Sequence, residues 1–151
     1  MKRILPLIAL VLLLASCSKE PPADQIAGSY NCEARLYTRY QKGGQWRDTV
    51  YVSRNNNSVL ITKVDDNTVS VKATSKKWGD AVAESASCSD YNYEASFGST
   101  GTLTTTSGHE YDADISGTVA YESHALSVSV RIKNYPNSGG KYILTWFNTV
   151  E

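Results

Sequence analysis

The chain has 151 residues and carries 15 basic and 15 acidic side chains, so it is formally neutral at pH 7. That balance removes the electrostatic reason for a nucleic-acid partner, whose binding depends on lysine and arginine neutralising phosphates. The length suits one domain with a single core, and the wealth of Tyr, Thr, Ser and Val beside two Phe and one Met favours strands.

The chain opens with two positive charges, Lys2 and Arg3, followed by an apolar run from Ile4 to Leu14 interrupted only by Pro6. A basic start and a short apolar stretch describe an export signal, and the run is well short of the roughly 20 residues a spanning helix needs. Leu14-Ala15-Ser16-Cys17 then resembles the lipobox of bacterial lipoproteins. The resemblance implies that residues 1–16 are removed, that Cys17 is acylated on sulfur, and that its new amine is acylated as well. Two or more acyl chains hold a protein stably on a bilayer that it does not cross. Ser18 at the second mature position resembles the sorting pattern for the outer membrane, and Lys19-Glu20 is similar to surface-export signals; both the periplasmic face and the cell surface stay open. Losing Lys2 and Arg3 leaves 13 basic against 15 acidic residues, a charge near −2. Residues 17–26, with Pro21-Pro22 inside, read as a stiff lipidated tether reaching roughly 25–30 Å, and residues 27–151 as the folded domain.

Beyond the tether the alternation of apolar and polar residues is clear. Tyr30–Leu36 places Tyr30, Cys32, Ala34 and Leu36 on one face, the period-2 mark of a half-buried strand. Thr49–Ser53 and Val59–Val64 are shorter candidates; Thr68–Thr74 and Tyr91–Phe97 repeat the full pattern. Asp80–Ser87, rich in Ala with one Glu, is the one place where a helical turn competes. Thr102–Thr105 follows, then eleven alternating residues from Tyr111 to Tyr121, where Gly117 suggests a kink or bulge. Leu126–Lys133 and Lys141–Phe147 close the series. Between them lie turn clusters: Lys42-Gly43-Gly44, Asn55-Asn56-Asn57, Asp65-Asp66-Asn67, Gly98–Gly101, Ser107-Gly108 and Pro136–Gly140.

Eight to ten strands joined by short links form an all-β antiparallel meander, and closing it into a barrel removes exposed edges. With Gly28-Ser29-Tyr30 opening the first strand, where lipocalins carry Gly-x-Trp, the chain resembles the lipocalin-like, or calycin, barrels over about residues 27–149. The alternative is an immunoglobulin-like β-sandwich, since Cys32, Trp46 and Cys88 follow its Cys…Trp…Cys order. Against it, position 86 is Ala where a Tyr is expected, and about 60 residues follow Cys88.

Once Cys17 is committed to lipid, Cys32 and Cys88 form an even pair in an exported chain, and a disulfide between them is expected. Closing a loop of about 57 residues would contribute about 4 kcal/mol by loop entropy. The alternative is two separate buried thiols packed as small hydrophobes.

Catalysis finds little support. His109 and His124 belong to no metal-ligand spacing, and no nucleophile elbow or phosphate loop is present. Glu110, Asp112 and Asp114 share one strand face at roughly 7 Å steps, too wide for one cation, and read as a solvated outer face. No enzyme activity, metal or cofactor is expected. Trp46 and Trp78 flank turns, where they could stack on a sugar or a partner, while Tyr37 and Tyr51 fall on the polar face; ordinary strand packing is the competing reading. Ala34, Ala73, Ala95, Ala113 and Gly117 on the inner face either leave space or let larger neighbours interlock. The expectation is a non-catalytic, lipid-anchored envelope barrel for a small apolar or glycan-like ligand whose contact residues the sequence does not name. The alternative is a structural or interaction domain that meets an envelope protein.

Overall fold

The computed structural model describes residues 19–133 and 142–149. The expected export signal, Cys17 and the Pro136–Gly140 cluster lie outside these residues. A short helix, α1 (Pro22–Ile26), precedes nine strands: β1 (Gly28–Lys42), β2 (Gln45–Ser53), β3 (Asn57–Asp65), β4 (Thr68–Ser75), β5 (Gly79–Tyr91), β6 (Glu94–Thr104), β7 (Glu110–Ala120), β8 (Leu126–Ile132) and β9 (Tyr142–Thr149). All pair antiparallel in the order β2-β1-β3-β4-β5-β6-β7-β8-β9, and β9 returns to β1. Eight strands therefore close a barrel of the lipocalin-like kind, and β2 is an extra strand outside the circuit. One continuous sheet leaves no room for the two-sheet sandwich.

The closure depends on how β1 divides its neighbours. Gly28–Asn31 pair with β3, Cys32–Arg39 pair with β9, and Ala34–Lys42 pair with β2. The β1–β2 hairpin turns on Gly43-Gly44, both at positive φ (60° and 76°), the left-handed conformation that a two-residue hairpin demands. Asn57 fills the fork where β2 gives way to β3. Buried there, its Nδ2 donates to the carbonyls of Cys32 (3.3 Å) and Ser53 (2.8 Å).

Inside the barrel, alternation delivers the core. Val59, Ile61, Val69, Val71, Ile115, Val119, Val128 and Val130 are buried, and the small residues Ala34, Ala73, Ala95 and Ala113 are fully so. Gly117 is no bulge: its pairings with β6 and β8 run without a shift. A Cβ there would lie 2.7 Å from Phe97 Cζ, so the glycine makes room for the ring opposite it. The small inward residues thus let large neighbours interlock through the barrel's middle.

The structure settles or corrects the sequence reading at four further places. Asp80–Ser87 is strand, belonging to β5, with a register shift against β6 between Val82 and Ser87. Tyr91–Phe97 is not one strand: Asn92, at φ 55°, turns the chain between β5 and β6. A two-residue turn reverses the parity, so Tyr91 and Tyr93 are 65% and 82% exposed rather than inward. Gly98–Gly101 is not a turn but the middle of β6, where a Cβ on Gly101 would meet the Val82 carbonyl oxygen at 2.1 Å.

The fourth is the tether. Pro22, Ala23 and Ile26 are buried, and α1 closes one end of the barrel. Proline suits the first helical turn, where its missing N–H costs nothing. Tyr30 Oη donates to the Ile26 carbonyl at 2.7 Å, and Lys63 reaches Asp24 at 2.7 Å and Asp66 at 2.8 Å. Those two carboxylates hold the Lys63 ammonium up to about 12. The last five residues of the segment read as a stiff tether, Pro22–Ile26, are therefore a stopper of the folded body.

Candidate functional site

A meander brings alternate turns to the same end. The links after β3, β5 and β7 share the end that α1 closes; those after β4 and β6 share the other, which is open among the described residues. The open end holds a cavity of about 280 Å³, at the small end of ligand clefts. Leu36, Leu103, Ile132 and the buried Thr145 form its floor and lower wall, with Trp78 and Tyr111 packed on the core at its sides. Thr105, Thr106, Ser107, His109 and Lys77 make the rim.

Local chemistry shapes that rim. Gly79 sits at φ 112°, and a Cβ there would lie 2.0 Å from the Thr104 carbonyl oxygen, so only glycine lets the β4–β5 turn lie directly on the end of β6. Trp78 N–H donates to the Ser75 carbonyl at 3.2 Å and the Lys77 N–H to Ser75 Oγ at 3.3 Å, which fixes the turn that presents both side chains. In the β6–β7 turn, Thr105 N–H donates to the His109 carbonyl at 2.8 Å, and His109 N–H to Thr105 Oγ1 at 3.1 Å. Thr105 and Ser107 hydroxyls share a 3.0 Å hydrogen bond.

The β1–β2 hairpin overhangs this mouth. Tyr51 pairs with Leu36 and so lies on the inward-facing side, not on the polar face that the sequence suggested. Lys77 Nζ stands 5.6 Å from the Tyr51 ring and 5.9 Å from the Trp78 ring, an ammonium bracketed by two aromatic faces. Tyr37 does face outward, with its ring centroid 6.1 Å from that of Trp146 on β9. Trp46 is exposed near the hairpin tip, with the Arg39 guanidinium 5.2 Å from its ring. Val50, Tyr51 and Val52 are also exposed, leaving β2 an apolar strand with an unpaired edge among the described residues.

The remaining expected sites do not converge on the mouth. Cys32 and Cys88 are free, buried thiols, and the expected disulfide is not formed. They stand on β1 and β5, three neighbours apart around the wall, each packed as a small hydrophobe. Burial pushes the Cys32 thiol up to about 11 and raises that of Cys88. Glu110 and Asp112 are exposed, and Asp114 pairs with Lys133 at 2.7 Å, as a solvated face would. Among the described residues no group of three His, Cys, Asp or Glu side chains meets as a metal site. His124 lies in the β7–β8 turn at the closed end. Lys77 and Thr145 escaped the sequence reading, and it named Tyr111, His109 and the Ser107-Gly108 turn without assigning them to a site; counting turns along the meander would have placed Trp78 and His109 at one end.

Comparison with protein-family models, with curated proteins and with solved structures finds no match to this chain. Its function is argued from its own residues.

Proposed function

We propose that the protein is a lipid-anchored envelope lipoprotein whose barrel holds a small ligand at its open mouth and performs no chemistry on it. One observation carries the ligand half of this reading: a barrel stoppered by α1 at one end opens at the other into a cup with an apolar floor and a hydroxyl-rich rim. Leu36, Leu103 and Ile132 offer an apolar body its contact, while Trp78 and Tyr111 offer flat faces for a ring. Thr105, Ser107, His109 and Lys77 offer hydrogen-bond partners to a polar end, sugar-like or anionic. None of the described lining residues is a carboxylate or a thiol, the usual companions of a catalytic histidine. The anchor half rests on Leu14-Ala15-Ser16-Cys17.

Native mass spectrometry of the purified protein tests the ligand half. A co-purified small molecule that is lost from the Trp78→Ala variant is the expected result. An empty spectrum, together with no change in Trp fluorescence across a glycan and fatty-acid panel, would overturn it. A second reading, a protein-interaction domain, is favoured by one specific feature: the exposed apolar β2, since such edges invite a further strand.

A further inference from the structure

The most exposed aromatic side chains named above, Tyr91 and Tyr93, lie far from the mouth, and the core does not use them. They sit on the β5–β6 turn at the closed end, the turn whose position the alternation misjudged. The turn is well held: Tyr121 N–H donates to the Tyr93 carbonyl at 3.0 Å, and Tyr121 Oη donates to Asp90. Tyr91, Asn92, Tyr93, Glu94 and Ala120 line a shallow groove beside it. Lys19, the first described residue, is pinned at the same place. Its Nζ contacts Asp90 at 2.8 Å and lies 5.8 Å from the Tyr121 ring. Cys17 is two residues earlier, so the chain allows it no more than about 7 Å from the Lys19 Cα.

We propose that the closed end faces the bilayer and that the Tyr91-Asn92-Tyr93 turn seats in its headgroup layer, so that the mouth opens away from the membrane. This rests on the lipid-anchor reading above. Where the chain leaves the described structure decides the orientation: an anchor this close to Asp90 brings the lipid surface to the β5–β6 turn and to no loop of the open end. With α1 folded into the barrel, residues 17–21 leave too little slack to turn the body over. Tyrosine suits the interface, because its ring enters the boundary layer while its hydroxyl stays hydrated. Charge selects the lipid. Glu20, Asp24, Asp65, Asp66, Asp90, Glu94 and Glu122 surround this end, against Lys19 and Lys63. Carboxylates beside aromatic faces match the ammonium of a zwitterionic phosphatidylethanolamine and repel anionic headgroups.

The test uses the full chain processed in a host that acylates lipoproteins, reconstituted into phosphatidylethanolamine–phosphatidylcholine vesicles. Single labels are placed by Glu122→Cys at the closed end and Thr106→Cys at the open end. Cys32 and Cys88 are buried and stay unlabelled. Lipids with a nitroxide headgroup are expected to quench the label at position 122 several-fold more than that at 106. In a Tyr91→Ser/Tyr93→Ser background, quenching at 122 is expected to fall while the protein still floats with the vesicles. Equal quenching at both sites in an acylated, vesicle-bound protein would overturn the orientation alone. An intact mass showing an unacylated mature chain would overturn the anchor reading, and the orientation with it.

Discussion

Both ends of the barrel are made of short turns between antiparallel strands, yet they are finished differently. At the closed end the turns are tied to a helix: Ile26 is fully buried, Lys63 bridges Asp24 and Asp66, and Tyr121 binds Asp90. At the open end the described turns are tied mostly to themselves, through Ser75 and through Thr105, and among the described residues nothing apolar fills the space between them. The same sheet thus spends apolar burial on sealing one end and, at the other, leaves aromatic and hydroxyl groups lining a cavity, tied to one another within and between the turns. Commitment of side chains, rather than strand geometry, separates the scaffold from the candidate site.

Substitutions can break this contrast. The largest effect is expected at Gly79, where alanine combines a strained φ with a direct clash against β6: about 4 kcal/mol of stability in urea unfolding. Gly43→Ala, at the same end but with open space around it, is expected to cost about 1 kcal/mol. If the two losses are equal, the close packing of the β4–β5 turn on β6 is wrong. Next comes the stopper. Ile26→Ala is expected to cost about 3 kcal/mol, and hydrogen exchange should rise around Asp65–Asn67 and Tyr91–Tyr93 while the Thr105–His109 turn is unaffected.

The buried thiol gives a pH-dependent handle. Because burial raises the Cys32 value from about 9 toward about 11, the unfolded chain loses its proton first as pH rises. Stability from this source is intact below pH 9 and falls between about 9 and 11, by about 3 kcal/mol. Thermal unfolding across that window should show a steeper slope in the wild type than in Cys32→Ala, which keeps the smaller part that the raised Cys88 thiol contributes. The smallest stability effect is expected from Trp78→Ala at the open rim, about 1 kcal/mol, because its ring is only partly packed. Binding of a mouth ligand, followed by titration calorimetry, should nonetheless weaken by at least about tenfold.

Much of the scaffold could be read from the residues. Tyr111 to Tyr121 alternates because one face meets the core and the other meets water, and β7 spans nearly the same residues. Where the reading failed, the cause is local and specific. Asn92 supplies the left-handed conformation of the β5–β6 turn without any glycine to announce it, and the flip in parity hid two exposed tyrosines inside an apparently perfect alternation. Gly98 and Gly101 misled in the opposite sense: both lie inside β6, and at Gly101 glycine serves a close backbone approach rather than a turn. The cup was illegible because its members come from β1, the β4–β5 turn, the end of β6, the β6–β7 turn, the start of β7, the end of β8 and the middle of β9, and only the closed sheet brings them together. Cys32 and Cys88 shared a plausible spacing but stand on well-separated walls, a fact that register alone supplies.

The division of β1 among three neighbours has a consequence for how such a molecule can vary. The seam of the barrel is sewn by Gly28–Asn31 on one side and Cys32–Arg39 on the other, so the β1–β2 tip beyond it is topologically an appendix. Lengthening, trimming or exchanging that tip would redecorate the overhang above the mouth while the cylinder below stays shut.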